Sequence, residues 1–196
     1  MDNIAILGWG SLIWDGRPEF DRHLTAWSVG GPQLPIEFCR KSRTRCNALT
    51  LAIDRRVGTR VETLYALSKR TDPRDVICDL RSREGTTIDK IGFVNLENGD
   101  EQGRDLESRE AIRAWAASKN IHFVVWTDLE SNFSESKPDE FIAAAMAHLK
   151  SLDSRGLLEA VKYIVKAPPQ TDTRLRKVLM NDEWFQEQVA IYNRDG

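Results

Sequence analysis

The sequence predicts an α+β domain followed by a helical tail, and three observations carry that expectation. Short apolar or alternating runs fall at 3–8, 35–39, 47–53 and 60–67, bounded by turn-forming residues. Apolar residues at helical spacing recur later, and from Pro138 onward no strand pattern interrupts them. Finally, the early strands follow one another without intervening helices, unlike the regular strand–helix alternation of a doubly wound sheet.

The first strand, 3–8, is the run Ile4-Ala5-Ile6-Leu7, broken by Gly8-Trp9-Gly10-Ser11. The third, 47–53, sets Leu49, Leu51 and Ile53 on one face. The fourth, 60–67, sends Val61, Thr63, Tyr65 and Leu67 one way and Glu62, Leu64 and Ala66 the other. Between them Asp54-Arg55-Arg56-Val57-Gly58 reads as a hairpin loop. A helix follows, capped by Thr71 or Asp72, with Pro73 in its first turn and Gly85 at its end. Next come a strand at 90–96, an Asn98-Gly99 turn, a helix at 108–119 and a strand at 121–127.

From Pro138, Phe141, Ile142, Ala145, Met146, Leu149 and Leu152 recur at threes and fours. A second helix covers 156–165 and stops at Pro168-Pro169. Thr171-Asp172-Thr173 then caps a last amphipathic helix, with Leu175, Val178, Leu179 and Trp184 facing inward. The organisation expected is an α+β domain over 1–135 and a helical extension over 136–196 packed on it.

Composition narrows the classes of function. With 196 residues, 41% hydrophobic and 30% charged, the chain matches ordinary globular proteins. A net charge of −2 supplies no field to draw nucleic acid or an anionic membrane surface. No run approaches the roughly twenty apolar residues of a membrane span, and no basic segment precedes an apolar one as in a secretory signal. Cys39, Cys46 and Cys78 are odd in number and lack CxxC spacing, which suits reduced thiols in the cytoplasm. His23, His122 and His148 sit far apart and form no ligand pair, so no dedicated metal site is expected.

Gly8-x-Gly10 after a strand suggests a phosphate-binding turn, but Ile13 stands where the dinucleotide fingerprint needs its third glycine. No acid ends a strand near residue 30, Glu37 comes too late, and the Walker lysine is absent. Two local interpretations stay open. The loop is a nest of amides for an oxyanion, with Ser11 adding a hydroxyl and Trp9 and Trp14 as walls. Alternatively, it is a tight turn between two core tryptophans.

In the helix that ends at Gly85, Val76, Ile77 and Leu80 mark the buried stripe, and four residues on from Leu80 is Glu84. A carboxylate there meets the negative end of the helix dipole, and partial burial adds to the pressure against ionisation. Such a group suits proton exchange near neutral pH. Arg81 and Arg83 oppose this, though helical geometry puts each well round from Glu84. A solvated glutamate at a frayed end is the plainer alternative. Glu62 is the second candidate acid, buried if its strand face is covered. The run Arg40-Lys41-Ser42-Arg43-Thr44-Arg45 is the one basic cluster in the sequence, and it lacks the interleaved aromatics of a single-strand-binding surface.

Together, Trp9-Gly10-Ser11-Leu12 after the first strand, then Arg83-Glu84-Gly85 in the matching order, resemble the γ-glutamylcyclotransferase-like family. Ile13-Trp14 is similar to its glutathione-degrading branch, and 124–133, VVWTDLESNF, to a segment of some relatives. The likeness spans roughly residues 3 to 130 and implies a closed, barrel-like mixed β-sheet flanked by helices. It implies that the Gly10, Ser11 and Leu12 amides, beside Trp9, hold the γ-glutamyl group of a small substrate. Glu84 then acts as catalytic acid and base, releasing 5-oxoproline and an amine, amino acid or dipeptide without metal or cofactor. Trp9 departs from the family's tyrosine, so a hydroxyl is lost and bulk is gained. The alternative function is a non-catalytic small-molecule- or partner-binding protein on the same scaffold, its helical tail serving as a surface for homo-oligomers.

Overall fold

Gly8 closes β1 (Ile4–Gly8), a strand buried at every position, in a computed structural model that describes residues 3–195. Contacts divide the chain into two units: Met1–Leu34 with Glu62–Leu129, and Pro35–Val61 with Glu130–Gly196. In the first unit β1 pairs antiparallel with β5 (Leu64–Leu67) and parallel with β8 (Phe123–Thr127). Beyond β8 lie β6 (Ile91–Asn95) and the two-residue β7 (Glu101–Gln102), both antiparallel, giving the order β5-β1-β8-β6-β7.

Two short helices, α1 (Ser11–Trp14) and α2 (Pro18–Asp21), follow β1; no helical periodicity announces elements of one turn. Helix α3 (Pro73–Glu84) has the termini the sequence predicts. Asp72 accepts from the Arg74 N–H at 2.8 Å, Pro73 opens the helix, and Gly85 ends it at φ +60°. The helix lays Val76 and Leu80 on a core containing Ile4, Ile6, Leu12, Phe20 and Val125. Helix α4 (Leu106–Ser118) starts two residues before its expected boundary because Asp105, not a later residue, is its cap.

The expected closed barrel is not formed: neither sheet closes on itself. The five-stranded sheet ends at β7, too short to recruit another strand, and at β5. The outer edge of β5 is covered by an irregular segment bridged at Leu24–Ser68 and Ser28–Tyr65. The chain also enters this sheet from another one where the alternation predicts an unbroken strand. Residues 60–67 form β4 (Thr59–Glu62) and β5, which belong to different sheets. Thr63 between them is fully buried, its N–H and hydroxyl both donating to the Pro32 carbonyl at 3.2 and 2.9 Å. That hydrogen bonding ends β4 although the side-chain alternation runs on.

The second unit carries β2 (Gln33–Ser42) and β3 (Ala48–Ile53), which with β4 form a sheet in the order β3-β2-β4. Residues 54–58 are therefore not a hairpin loop, because β2 lies between the strands they join. Both faces of β3 are buried, the small Ala48, Thr50 and Ala52 as well as Leu49, Leu51 and Ile53. Helix α5 (Pro138–Ser151) buries Phe141, Ala145 and Leu149, and α6 (Ser154–Lys166) packs on β3. The predicted last helix is two, α7 (Arg174–Met180) and α8 (Glu183–Asp195). Asp182 interrupts it by accepting from the Phe185 N–H at 3.0 Å, a new cap. Phe185 is consequently sealed, Val178 is 39% exposed, and Trp184 is only half-buried. Among the described residues no helix is long and apolar enough to cross a membrane.

Candidate functional site

The loop after β1 is shaped by close packing. Neither Gly8 nor Gly10 takes a positive φ; Gly10 lies at φ −140° and ψ −136°, capping α1. Gly8 is required by space instead, since a Cβ there would meet Ile13 Cδ1 at 2.7 Å and the Trp27 ring at 2.8 Å. Ile13 N–H donates to the Gly10 carbonyl at 2.9 Å and Asp15 N–H to the Ser11 carbonyl at 2.8 Å, which winds the chain into α1. Trp9 and Leu12 are 6% and 7% exposed, and Leu12 belongs to the core; Ser11 is half-buried.

Glu84 stands where the stripe of α3 places it, in the last turn, with 17% of its side chain exposed. Its neighbour Arg83 is the less expected residue. The Arg83 side chain is only 4% exposed, and its Nη2 donates to the Asp15 carbonyl at 2.7 Å and the Ser11 carbonyl at 3.2 Å. Its Nη1 lies 3.7 Å from Glu84 Oε1. The long side chain thus reaches back over the helix end, correcting the expectation that Arg83 lies well round from Glu84. One guanidinium ties the opening loop to the end of α3 and stands against the candidate acid.

A cavity of about 300 Å³ opens on the same arginine. Phe20 and Arg83 line it together with Arg17, Arg22, His23 and Arg70. Neither Glu84 nor the residues Trp9, Gly10, Ser11 and Leu12 belong to its lining. Four guanidinium groups there meet two carboxylates, Glu19 and Asp79. The structure therefore joins the two predicted parts of the site through Arg83, and puts a basic cavity beside them.

The other candidates have structural partners. Glu62 Oε1 accepts from the Gly30 N–H at 3.0 Å and fastens that loop. The basic run is likewise occupied: Arg40 donates to the Glu130 carbonyl at 2.7 Å, Lys41 lies over the Phe133 ring, and Arg45 faces Glu159 at 3.7 Å. Among the described residues, no group of three or more His, Cys, Asp or Glu side chains is arranged to hold a metal ion.

Two sealed carboxylates in the second unit escaped the sequence. Glu37 is fully buried in β2 and accepts from Phe38 N–H at 2.9 Å, Thr59 hydroxyl at 3.3 Å and Leu175 N–H at 3.3 Å. Burial raises its pKa, and these hydrogen bonds, with one from Thr173, only partly offset the rise. Asp54 is 7% exposed, but Arg56 grips it with Nε and Nη2 at 3.1 and 2.7 Å. Burial pushes the Asp54 pKa up, yet the Arg56 bonds and charge outweigh it and the net shift is downward. Only Glu37's central place in an apolar strand could have flagged it. For the cavity, arginines spread from 17 to 83 gave no local signal. No family model matches the chain, and no curated protein or solved structure is significantly similar to it.

Proposed function

We propose that the chain is a γ-glutamylcyclotransferase-type enzyme that releases 5-oxoproline and an amine, amino acid or dipeptide from a γ-glutamyl compound. The observation that carries the proposal is the Arg83 bridge, hydrogen-bonded to the Ser11 and Asp15 carbonyls and 3.7 Å from the partly exposed Glu84 carboxylate. Glu84 takes a proton from the substrate's α-ammonium group, and the freed nitrogen attacks the γ-carbonyl carbon. A C–N bond forms, the oxyanion is met by amides of the Gly10–Ser11–Leu12 turn, and the original amide C–N bond breaks. Glu84 passes its proton to the departing amine nitrogen, and the ring nitrogen sheds its second proton to that amine, which leaves as an ammonium; no electrons are gained or lost. Holding amine and carbonyl in attack geometry supplies much of the acceleration. The setting proposed is cytoplasmic, in keeping with three free thiols.

The test is 5-oxoproline release from glutathione and a panel of γ-glutamyl amines, comparing wild type with Glu84→Gln. Loss of a general acid–base group lowers the rate by about 10²–10⁴-fold. A folded wild type that turns over no member of the panel would sink the proposal. The second reading, a non-catalytic binding protein, is favoured by Trp9 and Leu12, whose side chains are committed to packing instead of lining a cleft.

A further inference from the structure

The geometry points to the Arg83 cavity as a binding site for a small organic anion, its carboxylate or phosphate head held between Arg22, Arg70 and Arg83. The first ground is a surplus of hydrogen-bond donors. Arg22 Nε and Arg70 Nη2 lie 3.0 and 3.2 Å from the same atom, His23 Nε2. Arginine has no acceptor, so Nε2 accepts from both and the imidazole proton sits on Nδ1. One lone pair serves two guanidinium groups. An oxyanion, with several lone pairs on each oxygen, takes up that surplus.

Charge gives the second ground. Asp79 is engaged by Arg70 at 3.0 Å, Asp15 lies 3.7 Å from Arg17 and 4.0 Å from Arg83, and Glu84 lies 3.7 Å from Arg83. Glu19 is exposed, and among the described residues Arg22 has no carboxylate within ion-pair distance. The lining is left with a net positive charge. The third ground is depth: Arg83 is nine-tenths buried and its Nε has no hydrogen-bond partner. A volume of about 300 Å³ beside Phe20 suits a ligand with a small carbon body as well as a charged head. The cavity shares Arg83 with the proposed Glu84 site, but Glu84 does not line it and the anion site does not rest on that chemistry.

Calorimetric titration at low salt, with succinate and inorganic phosphate as the two probes, tests this site. Binding of either is expected, and the tighter probe identifies the head group. Arg22→Ala, on the exposed rim, weakens it by about tenfold, and Arg22→Lys by less because the planar fork is lost but the charge kept. Arg40→Ala, in the basic run, leaves it unchanged. Absence of binding to both probes at about 10 mM would overturn the site. So would binding in Arg22→Ala as tight as in the wild type.

Discussion

Glu84 and Glu37 are both folded inward, yet their surroundings fit them for opposite tasks. Glu84 ends a helix, partly open to solvent, with a guanidinium 3.7 Å away. Glu37 sits in mid-strand without exposure, held by N–H and O–H donors from β2, from Thr59 of β4 and from the start of α7. A carboxylate that exchanges protons with a substrate needs a route to it. One that fastens three elements together needs none, and gains from being sealed. Burial alone is therefore a poor guide to chemistry here: the fully buried acid is the structural one.

The sharpest way to break the comparison is to remove each group. Glu84→Gln is expected to lower turnover by about 10²–10⁴-fold while stability moves by no more than about 0.5 kcal/mol, since the amide keeps the shape of a partly exposed side chain. Glu37→Ala has the reverse profile. It strands the Leu175 and Phe38 N–H groups and the Thr59 hydroxyl, and leaves a hole. A loss of about 2–4 kcal/mol in denaturant unfolding is expected, with turnover per folded molecule retained. If Glu37→Ala abolished turnover at unchanged stability, the two roles would have to be exchanged.

The position of Glu84 in the last turn of α3 was legible in the sequence because its evidence is local: a stripe of period 3.6, a cap at Asp72, a stop at Gly85. What stayed hidden depends on contacts between residues far apart in the chain. Thr63 breaks a strand without breaking its alternation, because the bond that does so comes from Pro32. At the same residue the chain passes from the three-stranded sheet into the five-stranded one, a change that no local pattern announces. Basic residues show the same limit. The run at 40–45 reads as a solvated turn without a stacking surface, yet it is spent on Glu130, Phe133 and Glu159. The arginines that do converge are separated by up to 66 positions, Arg17 to Arg83, and only the packing of α2 and α3 assembles them.

A finer test sets Glu37 against Asp54, whose shifts have opposite signs. Glu37's pKa is raised above its ordinary 4.5, so the folded state holds its proton where the unfolded state has lost it. Its contribution to stability is fully present below 4.5 and is lost as pH rises through the raised value. Asp54's pKa lies below its ordinary 3.8, so its contribution is present above 3.8 and is lost as pH falls through the lowered value. Stability curves of wild type minus Glu37→Gln are therefore expected to slope downward with rising pH. Those of wild type minus Asp54→Asn slope upward over the acid range. Parallel slopes would mean that Arg56 does not govern Asp54, or that water reaches Glu37.

The smallest effect reads the same buried region through sulfur. Cys39 lies two residues from Glu37, fully buried, and burial first, then the nearby Asp54 and Glu37 charges, push its thiol up to about 12. A thiol needs its thiolate to react, so Cys39 is inert at neutral pH for two reasons, ionisation and access. Cys78 is exposed on α3 and Cys46 is half-buried. In the native protein a disulfide reagent is expected to modify Cys78 rapidly and Cys46 more slowly, with Cys39 reacting only on unfolding. Glu37→Gln removes one of the charges acting on Cys39 but leaves it sealed, so its protection is expected to survive that substitution. Rapid labelling of Cys39 in folded Glu37→Gln would show that the carboxyl holds this region shut through its own hydrogen bonds, and that the surrounding apolar packing does not suffice. Continued protection would leave the packing of β2 as the barrier, and Glu37 as a group whose ionisation the strand suppresses without depending on it.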